Sequence, residues 1–533
     1  MATDSYLPEG AGRCRLVRHS FPLLEIVTLL PMAGTYLYNA WRFSFPAGYG
    51  GLYALMAEIL ARQPFPLPAQ IPFYGPGGIP FAYPPLALYL AALFVGPLHV
   101  PMLGYLRWAP GVVCILTMAA VYLLGRQWTG DRLKAVVAVV IVFSAEIVYS
   151  YHGTASGSVR SVALLWTVLA AYFSLRAYIQ DRLWPVHAGL AGLCLALTAL
   201  THLTYAAFLV PGIVLMAFLA PGPRRALWRL RTMVIIGLTG LLLAAPWWGT
   251  VMARYGPAVF INAAGTHGTG GLLADVGANP LGLLRAFLRW YANLGRTWWP
   301  GALSGLAILG FAYGLARRRW LIPAWVTVTV AGLGQTDRFE ILLCGLMAGE
   351  ALVDLARFVS GVAGRAALWG RNAVAGLAFL ALALGPLGAL GFRGIQWTEV
   401  ELTAALVDTG RWIEGNTPPD SQYLYLGSSH DVGEWLPYLT HRTPGISPWG
   451  AEWTGKYDRE RDRLGQLSAC VSAKQVSCVE AFAGSAGLDV GLLIVPVEEN
   501  SPWVSLEQDA SWQLAFDNRS WRVYARTGSD GAR

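Results

Sequence analysis

Charged residues are scarce in this chain: Asp, Glu, Lys and Arg make up 13% of its 533 positions, whereas a soluble domain carries about 25%. This scarcity, together with a hydrophobic content of 55%, excludes an ordinary soluble protein. The apolar residues form long runs, several of about 18 residues, which is the length that crosses a bilayer as a helix. The composition therefore predicts a multi-pass membrane protein.

Common site motifs and a removable signal are also missing from the sequence. No spacing of Cys and His resembles a zinc site, and the glycine-rich stretch AAGTHGTGG is not followed by the Lys-Ser/Thr pair of a phosphate-binding loop. No small-residue cleavage site follows the first apolar run, 23–41, so we expect a signal anchor. No cofactor is indicated, and the use of a divalent metal stays open.

Cysteine is sparse, with six residues in the whole chain. Four of them lie in or beside the apolar part and are expected to be unpaired. Cys470 and Cys478 stand eight positions apart in a C-terminal region that we expect to be exported. Such a pair predicts a short disulfide loop, and the alternative is two buried thiols.

The charge of the chain changes sign near Trp397. Residues 1–396 hold 28 Lys+Arg and 12 Asp+Glu, whereas residues 397–533 hold 11 and 19. This shift predicts a domain boundary. The basic residues of the first part lie in short loops between apolar runs, where membrane topology explains them, so we expect no nucleic-acid partner.

The positive-inside rule gives the orientation of the chain. Three arginines before the first apolar run place the N-terminus in the cytoplasm, and two long segments, 42–107 and 249–297, are then external. The apolar stretch 84–97 is too short to span and is expected at the membrane interface. The predicted spans are 23–41, 108–125, 135–150, 160–177, 185–201, 204–220, 231–248, 299–316, 320–334, 339–357 and 373–392.

The C-terminal region reads as a mixed α/β domain on the extracytoplasmic side. QYLYLG and LLIVPV are typical of buried strands, and 512–526 is typical of a hairpin. The stretch 456–482 predicts an amphipathic helix that breaks near the Cys pair. Trp449 and Trp453 flank a Pro/Gly-rich loop and either face a ligand or belong to the core.

Two arginines at the external face of the membrane part are candidates for binding a phosphate. Arg338 follows Asp337 at the outer end of the ninth span, where it could make charge-assisted bonds to phosphate oxygens. The alternative for Arg338 is an internal ion pair or a lipid-headgroup contact. Arg160 begins the fourth span and faces the same compartment, and its alternative is a headgroup anchor.

Four further residues are candidates for catalysis or substrate binding. Glu58, on the predicted helix GLYALMAEILAR, could act as a general base toward an acceptor hydroxyl, and its alternative is a solvated helix face. Asp337 is a second catalytic candidate. His202 lies at the tip of the hairpin between the fifth and sixth spans, where it contacts a polar ligand or makes a capping or interhelical hydrogen bond. His152, in an external loop, is a further substrate-binding candidate.

The order of these features resembles the GT-C superfamily of membrane glycosyltransferases. That superfamily includes protein O-mannosyltransferases, aminoarabinose transferases and oligosaccharyltransferase catalytic subunits, and bacterial mannosyltransferase-like members are the most similar. The resemblance covers nearly the whole chain. The motifs that carry it are GIPFAYPPL at 78–86, Thr201-His202, Asp337-Arg338, WIEGNTPP at 412–419 and WLPYLTHR at 435–442.

The resemblance implies a GT-C-like fold of about eleven transmembrane helices with a C-terminal extracytoplasmic α/β domain, in the bacterial plasma membrane. It also implies transfer of a hexose from a polyprenyl-phosphate sugar to a glycan or protein acceptor, with Tyr83 and His202 near the substrate. An acidic residue is expected early in the first external segment. Gly48, Tyr49, Gly50 and Gly51 stand there instead.

This departure leaves two hypotheses open. The first is a hexosyltransferase in which Arg338 holds the donor phosphate and Glu58 or Asp337 assists the acceptor. The second is a non-catalytic GT-C relative that binds a glycan, a lipid or a partner protein in a membrane complex. A transporter is disfavoured because the sequence shows no broken helices in symmetric halves.

Overall fold

The computed structural model describes most of the chain, and the predicted span 373–392 lies outside the described residues. The described ranges are 23–179, 182–221, 225–266, 281–282, 284–285, 302–333, 337–362, 400–497 and 503–527.

Helices dominate the first part of the molecule, and the predicted spans inside the described ranges are helical, although the third is broken into two segments. The helices are α1 (Leu23–Arg42), α2 (Gly51–Arg62), α3 (Leu86–Val95), α4 (Met102–Thr129), α5 (Arg132–Phe143), α6 (Glu146–Val148), α7 (Gly157–Ile179), α8 (Trp184–Ala199), α9 (Leu203–Leu219), α10 (Ala226–Tyr255), α11 (Ala258–Gly265), α12 (Ala302–Ala316), α13 (Leu321–Gly332) and α14 (Asp337–Val362). A short hairpin of β1 (Gln70–Ile71) and β2 (Ile79–Pro80) lies between α2 and α3.

The predicted third span, 135–150, is not one straight helix. α5 ends at Phe143, and the following segment, Glu146–Gly153, is bent from it by 69°. The hydroxyl of Ser144 donates to the carbonyl of Val140 at 2.6 Å, a side-chain bond that competes with the helical ladder and bends helices. A π-helical turn, Tyr149–Gly153, then leads into α7.

Three described helices, α4, α7 and α10, are long and apolar enough to cross a membrane, and the bent pair would be a fourth. The total of eleven spans therefore remains a prediction. α10 carries an exposed apolar stripe that includes Leu227, Leu230, Val234 and Leu238. Such a stripe at helical spacing indicates contact with lipid or with another apolar surface.

The C-terminal region combines helices with one five-stranded sheet. Its elements are α15 (Ala404–Asn416), β3 (Gln422–Tyr425), α16 (His430–Thr440), β4 (Thr443–Pro444), α17 (Tyr457–Ala473), α18 (Val476–Ala486), β5 (Leu492–Pro496), α19 (Val504–Glu507), β6 (Trp512–Asp517) and β7 (Trp521–Arg526). The strand order is β4-β3-β5-β7-β6, with β3 parallel to both neighbours and the rest antiparallel. The predicted strands and hairpin are confirmed.

The predicted disulfide is present between Cys470 and Cys478. It joins α17 to α18 across the break that the sequence predicted. Cys114, Cys194 and Cys344 are free and buried.

The C-terminal region packs directly on the first external segment through a shared apolar core. Ala54 and Ala57 of α2 belong to the same buried cluster as Leu406 of α15 and Trp435 and Leu436 of α16. Burying apolar surface stabilises such a contact by about 25 cal/mol per Å². The two parts therefore form a joint surface on which a site can be built.

Candidate functional site

A cavity of about 220 Å³ lies between the helices and the C-terminal region. Its walls come from α2, α7, α9, α11 and α14, from the Tyr83-Pro84 stretch, and from the turn Ala451–Thr454. The candidate phosphate-binding and substrate-binding residues Tyr83, Arg160, His202 and Arg338 are among those that line it. Residues far apart in the chain are thus brought to one place.

Both candidate phosphate-binding arginines are buried, with exposed fractions of 9% for Arg160 and 4% for Arg338. Their guanidinium carbons stand 5.1 and 5.5 Å from the centre of the Tyr151 ring. Arg160 also stands 5.0 Å from the Tyr49 ring and donates to the Ser156 hydroxyl at 3.3 Å. An aromatic face holds a cation without cancelling its charge, so the cavity presents positive charge in a low-dielectric setting.

Glu452, which the sequence did not single out, also lines the cavity. The Tyr83 hydroxyl donates to its Oε1 at 2.5 Å, and the Trp453 ring lies 5.0 Å from the Tyr83 ring. Burial raises the pKa of Glu452, while the bond from Tyr83 and nearby backbone N–H groups act in the opposite direction. Trp453, one of the two tryptophans in the Pro/Gly-rich loop, lines the cavity.

The position of Glu452 depends on a 3₁₀ turn, Ala451–Thr454, that packs between β2 and α11. Gly450 precedes the turn with φ +79°, and a Cβ there would lie 2.0 Å from Ile79 Cδ1 of β2. On the other side, Trp453 packs in one buried cluster with Val259 and Ala263 of α11. Glycine at position 450 thus allows both the backbone conformation and the close approach.

The two candidate histidines have different surroundings. His202 precedes α9, lines the cavity and makes no side-chain cap to that helix. Its ring lies 5.2 Å from the Tyr205 ring. His152 is fully buried behind the cavity, where its Nε2 lies 2.5 Å from the Tyr205 hydroxyl and its Nδ1 lies 3.1 Å from the Val148 carbonyl. His152 is therefore not among the residues that line the cavity, and it contacts Tyr205, whose ring packs against His202.

Glu58, one of the two predicted catalytic acids, is not among the described residues that line the cavity. Glu58 accepts a hydrogen bond from the Tyr438 hydroxyl at 2.7 Å and lies 3.7 Å from Arg62. It therefore contributes to the contact between α2 and α16. Asp337 is the first residue of α14, next to Arg338, and its side chain lies outside the described part of the structure.

A carboxyl group does lie at the Gly48–Gly51 stretch, where the resemblance led us to expect an acid, but it belongs to Glu434 of α16. Its oxygens accept from the N–H groups of Gly50, Gly51 and Leu52 at 2.9, 2.7 and 2.7 Å. These are the unpaired donors at the N-terminus of α2, where negative charge is favoured. Burial nevertheless raises the pKa of Glu434 to about 7.

A metal site was left open by the sequence. Within the described residues, no three His, Cys, Asp or Glu side chains are grouped so that they could hold a metal ion. We therefore derive no step through a metal.

No protein-family model matches the chain, and no curated protein matches it. Solved structures do match. The Archaeoglobus fulgidus oligosaccharyltransferase, solved in complex with Zn and sulfate, is 17% identical with a TM-score of 0.61, covering 94% of this chain and 72% of its own.

Two further solved structures are similar over most of this chain. ArnT from Cupriavidus metallidurans, bound to undecaprenyl phosphate, is 14% identical with a TM-score of 0.53, covering 96% of this chain and 99% of its own. The arabinofuranosyltransferase AftD from Mycobacteria is 15% identical with a TM-score of 0.55, covering 95% of this chain and 40% of its own. All three proteins are GT-C glycosyltransferases, so the predicted resemblance is confirmed at the level of the fold.

Proposed function

We propose, from the GT-C fold that this chain shares with those enzymes, that it transfers one sugar from a polyprenyl-phosphate donor to an extracytoplasmic acceptor. The observation that carries the proposal is the pair of buried arginines that line one cavity together with aromatic side chains. Guanidinium groups that line a cavity can offer charge-assisted N–H donors to an anion. A sugar phosphate suits this lining, because its phosphate can bind the arginines and its sugar ring can pack on the aromatic side chains.

Arg338 and Arg160 are the groups that we assign to the donor phosphate. Guanidinium groups bind phosphate oxygens through paired, charge-assisted hydrogen bonds. Two of the similar structures contain lipid phosphates: undecaprenyl phosphate in ArnT, and dolichol-phosphate in the Archaeoglobus fulgidus enzyme AglB. As the bond to the sugar breaks, charge grows on the departing phosphate, and fixed cations stabilise that change.

The cavity favours a single sugar ring over an oligosaccharide. Its volume of about 220 Å³ lies below the roughly 300–1,000 Å³ of pockets for drug-sized ligands. Tyr83, Phe260 and Trp453 line it, and aromatic faces of this kind pack on the apolar face of a sugar. His202 lines the same cavity, and we assign it to hydrogen bonding with a sugar hydroxyl. These features support a hexose as the transferred group.

A non-catalytic role in binding or complex assembly is the second candidate. It is favoured by the absence of an acid in the Gly48–Gly51 stretch and by the contact of Glu58 with Tyr438, away from the cavity. Under this alternative, the same arginines hold a lipid phosphate without transfer.

The test is a transfer assay with purified protein in nanodiscs. Radiolabelled undecaprenyl-phosphate mannose and glucose serve as donors, and a bacterial membrane extract serves as the acceptor pool. Arg338→Ala is compared with wild type and with Arg62→Ala, whose side chain is 78% exposed. Loss of a charge-assisted bond is worth about 1.5–3 kcal/mol, so we expect donor binding about 10- to 100-fold weaker in Arg338→Ala and unchanged in Arg62→Ala.

The outcomes separate the two candidates. Transfer that Arg338→Ala loses and Arg62→Ala keeps supports the enzyme. Binding of the lipid phosphate without transfer by the wild-type protein supports the binding or assembly role. Wild-type protein that neither binds a polyprenyl phosphate nor transfers sugar overturns the proposal.

A further inference from the structure

We propose that Glu452 is the general base for the acceptor, so that the C-terminal region completes the catalytic site. This inference rests on the proposed transfer reaction. Among the described residues that line the cavity, Glu452 is the one acidic side chain. It faces the same space as Arg160 and Arg338, which hold the donor phosphate.

The surroundings of Glu452 suit a base. The Tyr83 hydroxyl holds its carboxylate through Oε1, and the Trp453 ring packs against Tyr83, so the group is positioned before substrate enters. No described arginine or lysine forms an ion pair with Glu452, and its charge therefore stays available. Burial raises its pKa, which makes the carboxylate a stronger base than an exposed glutamate.

The other two acids near this surface, Glu434 and Glu58, do not line the cavity. Glu434 accepts three backbone N–H groups of α2, and Glu58 is bonded to Tyr438. Both therefore fix the C-terminal region on the first external segment. Glu452 also lies where the C-terminal region meets the first external segment, but its side chain lines the cavity.

The transfer step balances with these residues alone. The acceptor hydroxyl oxygen attacks the anomeric carbon, and its lone pair forms the new glycosidic bond. The bond from that carbon to the phosphate oxygen breaks, and its electron pair leaves with the polyprenyl phosphate, which Arg338 and Arg160 stabilise. The hydroxyl proton passes to the Glu452 carboxylate, which later releases it to water.

The experiment measures donor binding and transfer in Glu452→Gln, Glu452→Asp and Glu58→Gln. Glu507→Gln, an acid of the same region that pairs with Arg522, is the matched control. We expect Glu452→Gln to lower kcat about 100- to 10,000-fold, as removal of a general base does, with donor binding unchanged. Glu452→Asp should recover part of the rate, and Glu507→Gln should keep the wild-type rate.

Tyr83→Phe supplies a readout that a purely structural role would not move. The bond from Tyr83 lowers the pKa of Glu452, and a base must be ionised to act. Removing that bond should therefore move the acid limb of the kcat profile to higher pH, a shift that a loss of packing alone would not produce.

Three results overturn the assignment of Glu452 while the proposed function stands. They are full transfer in Glu452→Gln, a large loss in Glu58→Gln instead, and loss of donor binding together with transfer in Glu452→Gln. Failure of the proposed function itself looks different, because wild-type protein then transfers no sugar from any polyprenyl-phosphate donor.

Discussion

Glu434 links two parts of the molecule through one carboxyl group. Its exposed fraction is 2%, and both of its oxygens accept N–H groups at the start of α2. A Cβ at Gly51 would lie 2.8 Å from the Glu434 backbone oxygen, so a side chain at that position would push the two segments apart. The glycines where an acid was expected thus make room for an acid from elsewhere in the chain.

The pKa of Glu434 predicts how stability depends on pH. Its pKa is about 7 in the folded protein, against 4.5 as the ordinary value. The folded state therefore binds the proton more tightly than the unfolded state between these values. The resulting stabilisation is present below about pH 4.5 and is lost as the pH rises through 7, with an upper limit of roughly 3 kcal/mol.

Thermal unfolding of wild type and Glu434→Gln in detergent, from pH 4 to pH 8, measures this contribution. We expect the advantage of wild type over the variant to shrink as the pH rises to about 7. If the advantage of wild type over the variant grew with pH instead, the three N–H groups would be holding the pKa of Glu434 below its ordinary value, against the effect of burial.

The sequence identified one wall of the candidate site but not the other. Arg160, His202 and Arg338 were recognisable because polar groups next to an apolar run are costly and stand out. Glu452 was not, because its partner Tyr83 is 369 positions away and a four-residue turn has no periodicity to detect. The only signal was the pair of tryptophans in the surrounding Pro/Gly-rich loop.

At the scale of elements, the turn Ala451–Thr454 positions the acidic wall of the cavity. It is a 3₁₀ segment of four residues, and its few i→i+3 hydrogen bonds are too weak to fix its position alone. Its position depends on contact with Ile79 before it and with α11 beside it. Both arginines, by contrast, lie on helices. A backbone change in the turn should therefore displace Glu452 more than it displaces the arginines.

Gly450→Ala tests this dependence. The new Cβ overlaps Ile79 Cδ1, and the positive φ disfavours any side chain, so we expect a loss of about 1–3 kcal/mol in stability. Transfer should fall because Glu452 moves, while binding of the donor phosphate should persist. Stability comes from thermal unfolding, and the two activities come from the transfer and lipid-binding assays.

Gly465→Ala in α17 is the matched control, since no atom outside its own helix lies within 4 Å of a Cβ there. It should be neutral or slightly stabilising. Ile79→Ala, combined with Gly450→Ala, should restore part of the transfer if the overlap is the cause. No recovery, or loss of donor binding in Gly450→Ala, would contradict this account of the turn.

Element types were largely predictable because long apolar runs and alternating strands carry their own period. The bend after Phe143 was not, since a side-chain bond from Ser144 to the Val140 carbonyl changes the backbone without changing the apolar pattern. The short helix α2 and the hairpin β1–β2 lie in the Pro/Gly-rich first segment. The C-terminal region packs against both, and sequence alone cannot show such contacts.

At the scale of the whole molecule, ion pairs gather on helix ends away from the cavity. Lys134 of α5 lies 2.7 Å from Asp354 of α14, Arg357 lies 2.6 Å from Asp131, and Arg319 pairs with Glu350. The turn between α12 and α13 adds further exposed arginines. Basic residues in short loops favour the cytoplasmic side, so the charge pattern predicts that the cavity opens on the opposite side.

Cysteine labelling on intact spheroplasts tests this orientation. Trp320→Cys reports the α12–α13 turn, where Trp320 is 51% exposed, and leaves the neighbouring arginines that direct topology in place. Asp408→Cys reports α15 of the C-terminal region, where the Asp408 side chain is 62% exposed. The free cysteines that the structure describes are buried, so the labelling of wild type gives the background signal.

With a membrane-impermeant maleimide, Asp408→Cys should react in intact spheroplasts and Trp320→Cys only after permeabilisation. The reverse pattern would place the cavity in the cytoplasm, where it could not meet an exported acceptor.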